Sequence, residues 1–105
     1  MRSPLMRLSS LQQQQIRDTV RDCFGPGARV LLFGSRLDEE RRGGDIDLLV
    51  QSDLPAADSC RARIRCLARL DRALEGRPVD LVLTTPDDRD NRSIVRHALA
   101  TGVEL

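Results

Sequence analysis

"LLFGSRLDEERRGGDIDLLV" occupies Leu31 to Val50. An apolar run breaks at Gly34-Ser35, passes through a polar loop closed by Gly43-Gly44, and resumes around Asp45 and Asp47. Apolar runs bounded by glycine pairs read as buried strands. In a strand, residues i and i+2 share a face. Asp45 and Asp47 should therefore project side by side, with Ile46 turned the other way into a core. Two carboxylates roughly 6 Å apart repel by about 3 kcal/mol at an effective dielectric near 20. Solvent at a strand end absorbs much of that; a divalent cation removes it.

A third acid lies downstream in "PVDLVLT", where Val79 to Thr84 reads as another strand. Asp80 is costly to cover alone, so it needs a partner or a wet cleft. If this strand lies beside the one carrying Asp47, the three acids form an all-oxygen cluster suited to Mg²⁺ and substrate phosphates. Gly34-Ser35, directly after a strand, permits close approach of backbone to a ligand and offers a hydroxyl and an N–H to phosphate. It is not a Walker loop, because no Gly-Lys-Ser/Thr follows.

The remaining chain reads outward from these strands. Ser9 to Phe24 should be a helix, with Ser10 as cap, Gln13 at the capping-box position, and Ile16, Val20, Cys23 and Phe24 on its apolar face. Gly25-Pro26-Gly27 ends it, and Ala28 to Phe33 follows as a strand. Ile46 to Gln51 is the second strand. Pro55 to Glu75 should be a long helix facing inward through Cys60, Ile64, Leu67, Leu70 or Asp71, and Leu74, and stopped by Gly76 and Pro78. After the third strand, Thr85-Pro86-Asp87-Asp88 has the form of a cap, a first-turn proline and early acids. It should start a last helix carrying Ile94, Val95, Ala98 and Leu99. The expected order is α-β-β-α-β-α: an α+β (mixed α/β) fold with about three strands in a mixed sheet flanked by helices.

Length and composition restrict the function classes. One small domain, residues 1–105, is all that 105 residues allow. Charged residues make up 31% and apolar residues 40%, ordinary for a folded soluble chain. A net charge of +1 supplies no bulk attraction to nucleic acid or membrane, and with two Phe and no Tyr or Trp, stacking on bases is poorly supported. All 17 basic residues other than the single His are arginine, which reads as a composition bias of the source. Three cysteines without a C-x-x-C pair indicate neither a disulfide framework nor a zinc site; Cys23 and Cys60 read as packing residues. The N-terminal MRSPLMRL has no apolar run long enough for a signal peptide and no segment approaches a membrane span, so a cytoplasmic location is expected. His97, without a spacing partner, reads as a surface or helix-end residue.

The combination of "LFGSR", nine residues between Ser35 and Asp45, "DIDLLV" and the later acid of "PVDLVL" resembles the nucleotidyltransferases of the DNA polymerase β superfamily. In size the chain is similar to their minimal nucleotidyltransferase (MNT) branch, antitoxin partners of HEPN-type toxins. The resemblance runs from the first helix to the "ATGVEL" tail. It implies that Asp45 and Asp47 bind two Mg²⁺ ions together with ATP, and that Asp80 is the third ligand and activates the attacking hydroxyl. Gly34 and Ser35 would hold the β- and γ-phosphates, with Arg36 as a further phosphate contact. The implied reaction is in-line attack on the α-phosphate with pyrophosphate leaving. By the same resemblance the acceptor is a tyrosine of a HEPN-type ribonuclease toxin, which AMP silences. Two departures stand out. Gly44 occupies a position where the family usually carries Ser, and the short spacer holds Asp38, Glu39 and Glu40 near the expected phosphates.

Two other readings remain open from the residues: a non-catalytic antitoxin that neutralises its toxin by binding, and nucleotidyl transfer to a small molecule, whose known agents carry an added helical domain. Whether the chain pairs with itself or only with its partner is also open.

Overall fold

The computed structural model describes residues 8–34 and 46–105. Three helices and four strands follow the chain as α1 (Ser10–Phe24), β1 (Arg29–Phe33), β2 (Ile46–Gln51), α2 (Ala56–Ala73), β3 (Val79–Thr84), α3 (Ser93–Thr101) and β4 (Val103–Glu104). The sheet order is β3-β2-β1-β4. β1 is antiparallel to both β2 and β4, while β2 and β3 are parallel. A parallel pair needs a long crossover, and α2 supplies it. The expected α+β class and element order therefore hold, with a fourth strand added from the "GVEL" tail.

β2 lies inside the sheet between β3 and β1, and its first five residues are all buried. The alternation across it sorts side chains into two layers. Val30, Leu32, Ile46, Leu48, Val50 and Leu81 face α1 and α2 and build the main core with Ile16, Val20, Phe24, Cys66, Leu70 and Leu74. Leu31, Phe33 and Leu49 face the other way and pack with Val95 and Ala98 of α3. Each fully buried Leu, Ile or Val contributes about 1.5–3 kcal/mol, so the α1–α2 side dominates stability. The α3 side is thinner and partly open.

Three helix expectations need correction. The cap of α1 is Ser9, not Ser10: Ser9 Oγ accepts from the Gln12 N–H at 3.1 Å and Gln12 Oε1 accepts from the Ser9 N–H at 3.1 Å, so the capping box sits one residue earlier than the Ser10/Gln13 reading. In α2 the inward residues are Ala62, Cys66, Leu70 and Leu74, whereas Cys60 is exposed and Ile64 is 63% exposed. The α1 helix packs closely on α2, and the small Ala62 and Cys66 fit that approach better than Ile64.

The third correction lies at α3. Thr85 to Asp88 do not start the helix; they form a turn in which Thr85 Oγ1 donates to Asp87 at 2.7 Å and Asp88 adopts a φ of 60°. The helix begins at Ser93, after Arg92. Asp90 ties this entry to the sheet. Thr84 Oγ1 donates to Asp90 at 2.8 Å, and Arg92 donates from Nε at 3.0 Å and from Nη2 at 2.7 Å. These bonds, Arg92 first, hold the Asp90 carboxyl well below the usual carboxylate range. Arg92 Nη2 also donates to the Leu83 carbonyl. The end of β3 and the start of α3 are thus fixed to each other, which aims α3 back across the sheet toward β1.

At its far end α3 stops at Gly102, where a Cβ would stand 2.5 Å from the Ala98 carbonyl oxygen and 3.3 Å from Leu31 Cβ. No side chain fits there. The chain then pairs β4 with β1, and Arg29 Nε donates to Glu104 at 3.1 Å across that edge.

Candidate active site

The register places a row of residues across three strands. Phe33 of β1 is opposite Asp47 of β2, and Asp47 is opposite Asp80 of β3. Adjacent strands lie about 4.8 Å apart, so the two carboxylate-bearing positions are immediate neighbours on the same face of the sheet. That face is the α3 side, because Phe33 and Leu49 belong to the α3 cluster. Ile46 points oppositely into the main core at 2% exposure, as the strand alternation requires.

The two acids differ in environment. Asp47 is buried, at 7% exposure. Asp80 is exposed. The reason is the placement of α3, which packs over β1 and leaves the β3 end of this face uncovered; Val82, two residues on from Asp80, is only half-buried. One carboxylate is therefore held in the protein and the other meets solvent, side by side.

Gly34 follows Phe33 at the end of β1, half-buried and next to this row. Its carbonyl oxygen lies 2.8 Å from His97 Nε2 of α3. The His97 ring meets Phe33 edge to face, with centroids 6.3 Å apart and planes at 74°. His97 is half-buried in the middle of α3 rather than at a surface or helix end. Its spacing carries no signal for this role: Val95 and Ala98 form the inward stripe, and only the crossing of α3 over β1 brings His97 to Gly34.

Of the residues singled out from the sequence, Gly34, Asp47 and Asp80 are brought to one end of one sheet face. Asp45, Ser35 and Arg36 lie outside the described residues. Among the described residues no group of three or more His, Cys, Asp or Glu could hold a metal; Asp47 and Asp80 make a pair. A pair of carboxylates is nonetheless an all-oxygen donor set of the kind hard divalent cations select. A shallow groove between α1 and α2, lined by Gln15, Asp18, Thr19, Arg69, Arg72 and Ala73, shares no residue with the row. Its lining has a single acid, Asp18, and so no converging carboxylates.

Carboxylates paired across two strands at the end of a mixed sheet where Gly34 leaves it are one pattern; the sequence around them is a second. The model of the nucleotidyltransferase domain family matches residues 14–101. The chain belongs to that family. No curated protein matches it. The match begins in α1 and runs to the end of α3, so the nucleotidyltransferase domain takes in the whole row from Phe33 to Asp80, Gly34 and the His97 contact. Nucleotidyl transfer is the chemistry of that domain, and no described helix is long and apolar enough to cross a membrane.

Proposed function

We propose that the chain is a Mg²⁺-dependent adenylyltransferase that moves AMP from ATP onto a partner protein, a tyrosine of a HEPN-type toxin, and so acts as an antitoxin. The observation that carries this reading is the Asp47–Asp80 pair, in register on adjacent parallel strands inside a nucleotidyltransferase domain. Asp45, Asp47 and Asp80 would hold magnesium, which supplies positive charge against the phosphate oxygens.

The chain's own residues account for the other requirements. Gly34, with Ser35 and Arg36, receives the β- and γ-phosphates. Asp47, buried, keeps a fixed orientation toward the α-phosphate. Asp80, exposed, is the acid within reach of a hydroxyl delivered from outside, and it accepts that hydroxyl's proton. The hydroxyl oxygen then bonds to the α-phosphorus, the bond from that phosphorus to the bridging oxygen breaks, and pyrophosphate leaves with the electron pair. An open β3 end suits a macromolecular acceptor, because the described residues build no wall around Asp80 to enclose a small one.

The test is the intact mass of the protein encoded beside this chain, purified after co-expression with the wild type or with Asp47→Asn. Mass increments of whole AMP units with the wild type alone are the expected result. A neighbour that co-purifies unmodified with both versions would make the chain a binding antitoxin and overturn the catalytic reading.

A further inference from the structure

We infer that His97 is a positioning residue for nucleotide binding, acting through the carbonyl of Gly34. This rests on the assignment of Gly34 to the triphosphate.

The need for such a residue follows from the sheet. The β1–β2 ladder ends at Phe33 opposite Asp47, and β4 covers β1 only at Leu31 and Leu32. Gly34 therefore stands one residue beyond the last strand pairing. It carries no side chain of its own to anchor it, and glycine is the residue with the most backbone freedom to lose. The tie comes from His97 of α3, whose Nε2 lies 2.8 Å from the Gly34 oxygen. A carbonyl oxygen only accepts, so the proton is on Nε2. The bond spans 63 positions of sequence; it is a tertiary contact, and it fixes the point where β1 leaves the sheet.

One further contact holds the imidazole itself, and two features hold the helix that carries it. Phe33 meets it edge on. Val95 and Ala98, on either side of it in the helix, are fully buried against Leu31, Phe33 and Leu49. Asp90 and Arg92 lock the start of the helix to β3. The direction of the Nε2–H is thus set by the packing of α3, and that direction orders Gly34 before any nucleotide arrives. Pre-ordering of a binding segment raises affinity by removing an entropy cost at the moment of binding.

Removing the donor should weaken MgATP binding about three- to tenfold, the value of one neutral hydrogen bond. The experiment is calorimetric titration of MgATP into wild type, His97→Gln and His97→Phe, with the thermal midpoint of each. Gln keeps an N–H donor at similar reach; Phe keeps the ring against Phe33 without the donor. Wild-type affinity in His97→Gln, and three- to tenfold loss in His97→Phe with cooperative unfolding retained, is the expected pattern. Equal affinity in wild type and His97→Phe overturns the inference and leaves the proposed function standing. Equal losses in Gln and Phe overturn it too, because packing rather than the donor would then matter. Should His97→Phe fail to fold, His97→Leu serves as the donorless variant, with the same two outcomes. A wild type that does not bind MgATP sinks both readings together.

Discussion

Asp47 and Asp80 are register partners on adjacent parallel strands, yet one is buried and the other open to solvent. Neighbouring like charges are tolerated where something else draws on them, and the proposed draw is a divalent cation with its nucleotide. MgATP should therefore stabilise the protein. At a hundredfold excess over Kd the linkage gain is about 2.7 kcal/mol, which for a domain of this size raises the thermal midpoint by roughly 10 °C or more. Asp47→Asn, close in shape, should abolish the rise while leaving the ligand-free midpoint in place. Asp80→Asn should cut the rise and leave the ligand-free midpoint equal or higher, since one of two like charges is gone. Thermal denaturation of the three proteins with and without MgATP checks this, and a full rise in Asp47→Asn would count against the site.

Much of this row could be read before any coordinates. The bounds of β2 and β3 follow from β-branched and leucine-rich runs set between breakers, and the side of the sheet that Asp47 takes follows from the alternation about Ile46. Whether Asp80 would meet Asp47 depended on which strands pair, and α2 settles that by forcing β2 and β3 parallel. Two features were illegible. β4 is two residues long, too short for any periodic signal. The His97–Gly34 contact depends on the angle at which α3 crosses the sheet, and no local pattern encodes that angle.

The phase of α2 is set by helix packing rather than by the apolar spacing of its sequence, and this can be tested. Two readings of its inward face share Leu70 and Leu74 and differ one turn earlier, where the expected stripe runs through Cys60 and Ile64 and the observed one through Ala62 and Cys66. Close packing against α1 selects the second, leaving Ile64 in water. Ile64→Arg should then change stability by no more than about 0.5 kcal/mol, whereas Leu70→Ala should cost about 2–5 kcal/mol because Leu70 is fully buried. Urea unfolding of Ile64→Arg decides the phase, with Leu70→Ala as the reference for a buried position of the same helix.

The cap of α1 offers a one-residue test of the same kind. Ser9 and Ser10 are adjacent and chemically identical, but only the Ser9 hydroxyl accepts a bond from the first turn, and Gln12 answers it. Ser9→Ala should lower stability by about 1 kcal/mol, and Ser10→Ala, exposed inside the helix, should leave it unchanged or raise it by a few tenths. Unfolding midpoints in denaturant separate them, and equal losses would argue for a frayed start.

Cys66 gives the molecule an alkaline limit. Its side chain is fully buried between the helices, and burial, with smaller contributions from the neighbouring Cys23, pushes the thiol up to about 12. A group whose pKa is raised on folding stabilises the native state fully below its unfolded value and loses that contribution as pH rises toward the folded one. The window runs from the ordinary thiol value near 9 to about 12. Above pH 9 the unfolded chain releases the Cys66 proton and the native state does not, so stability should fall steadily across pH 9 to 11. Cys66→Val, apolar and similar in volume, should flatten that fall when unfolding is followed at each pH. The same burial predicts thiol labelling of the native protein at the exposed Cys60, with Cys66 reacting only when the protein unfolds. Labelling of Cys66 at the native rate of Cys60 would mean that α2 is rotated from the phase described, and the alkaline slope would then vanish with it.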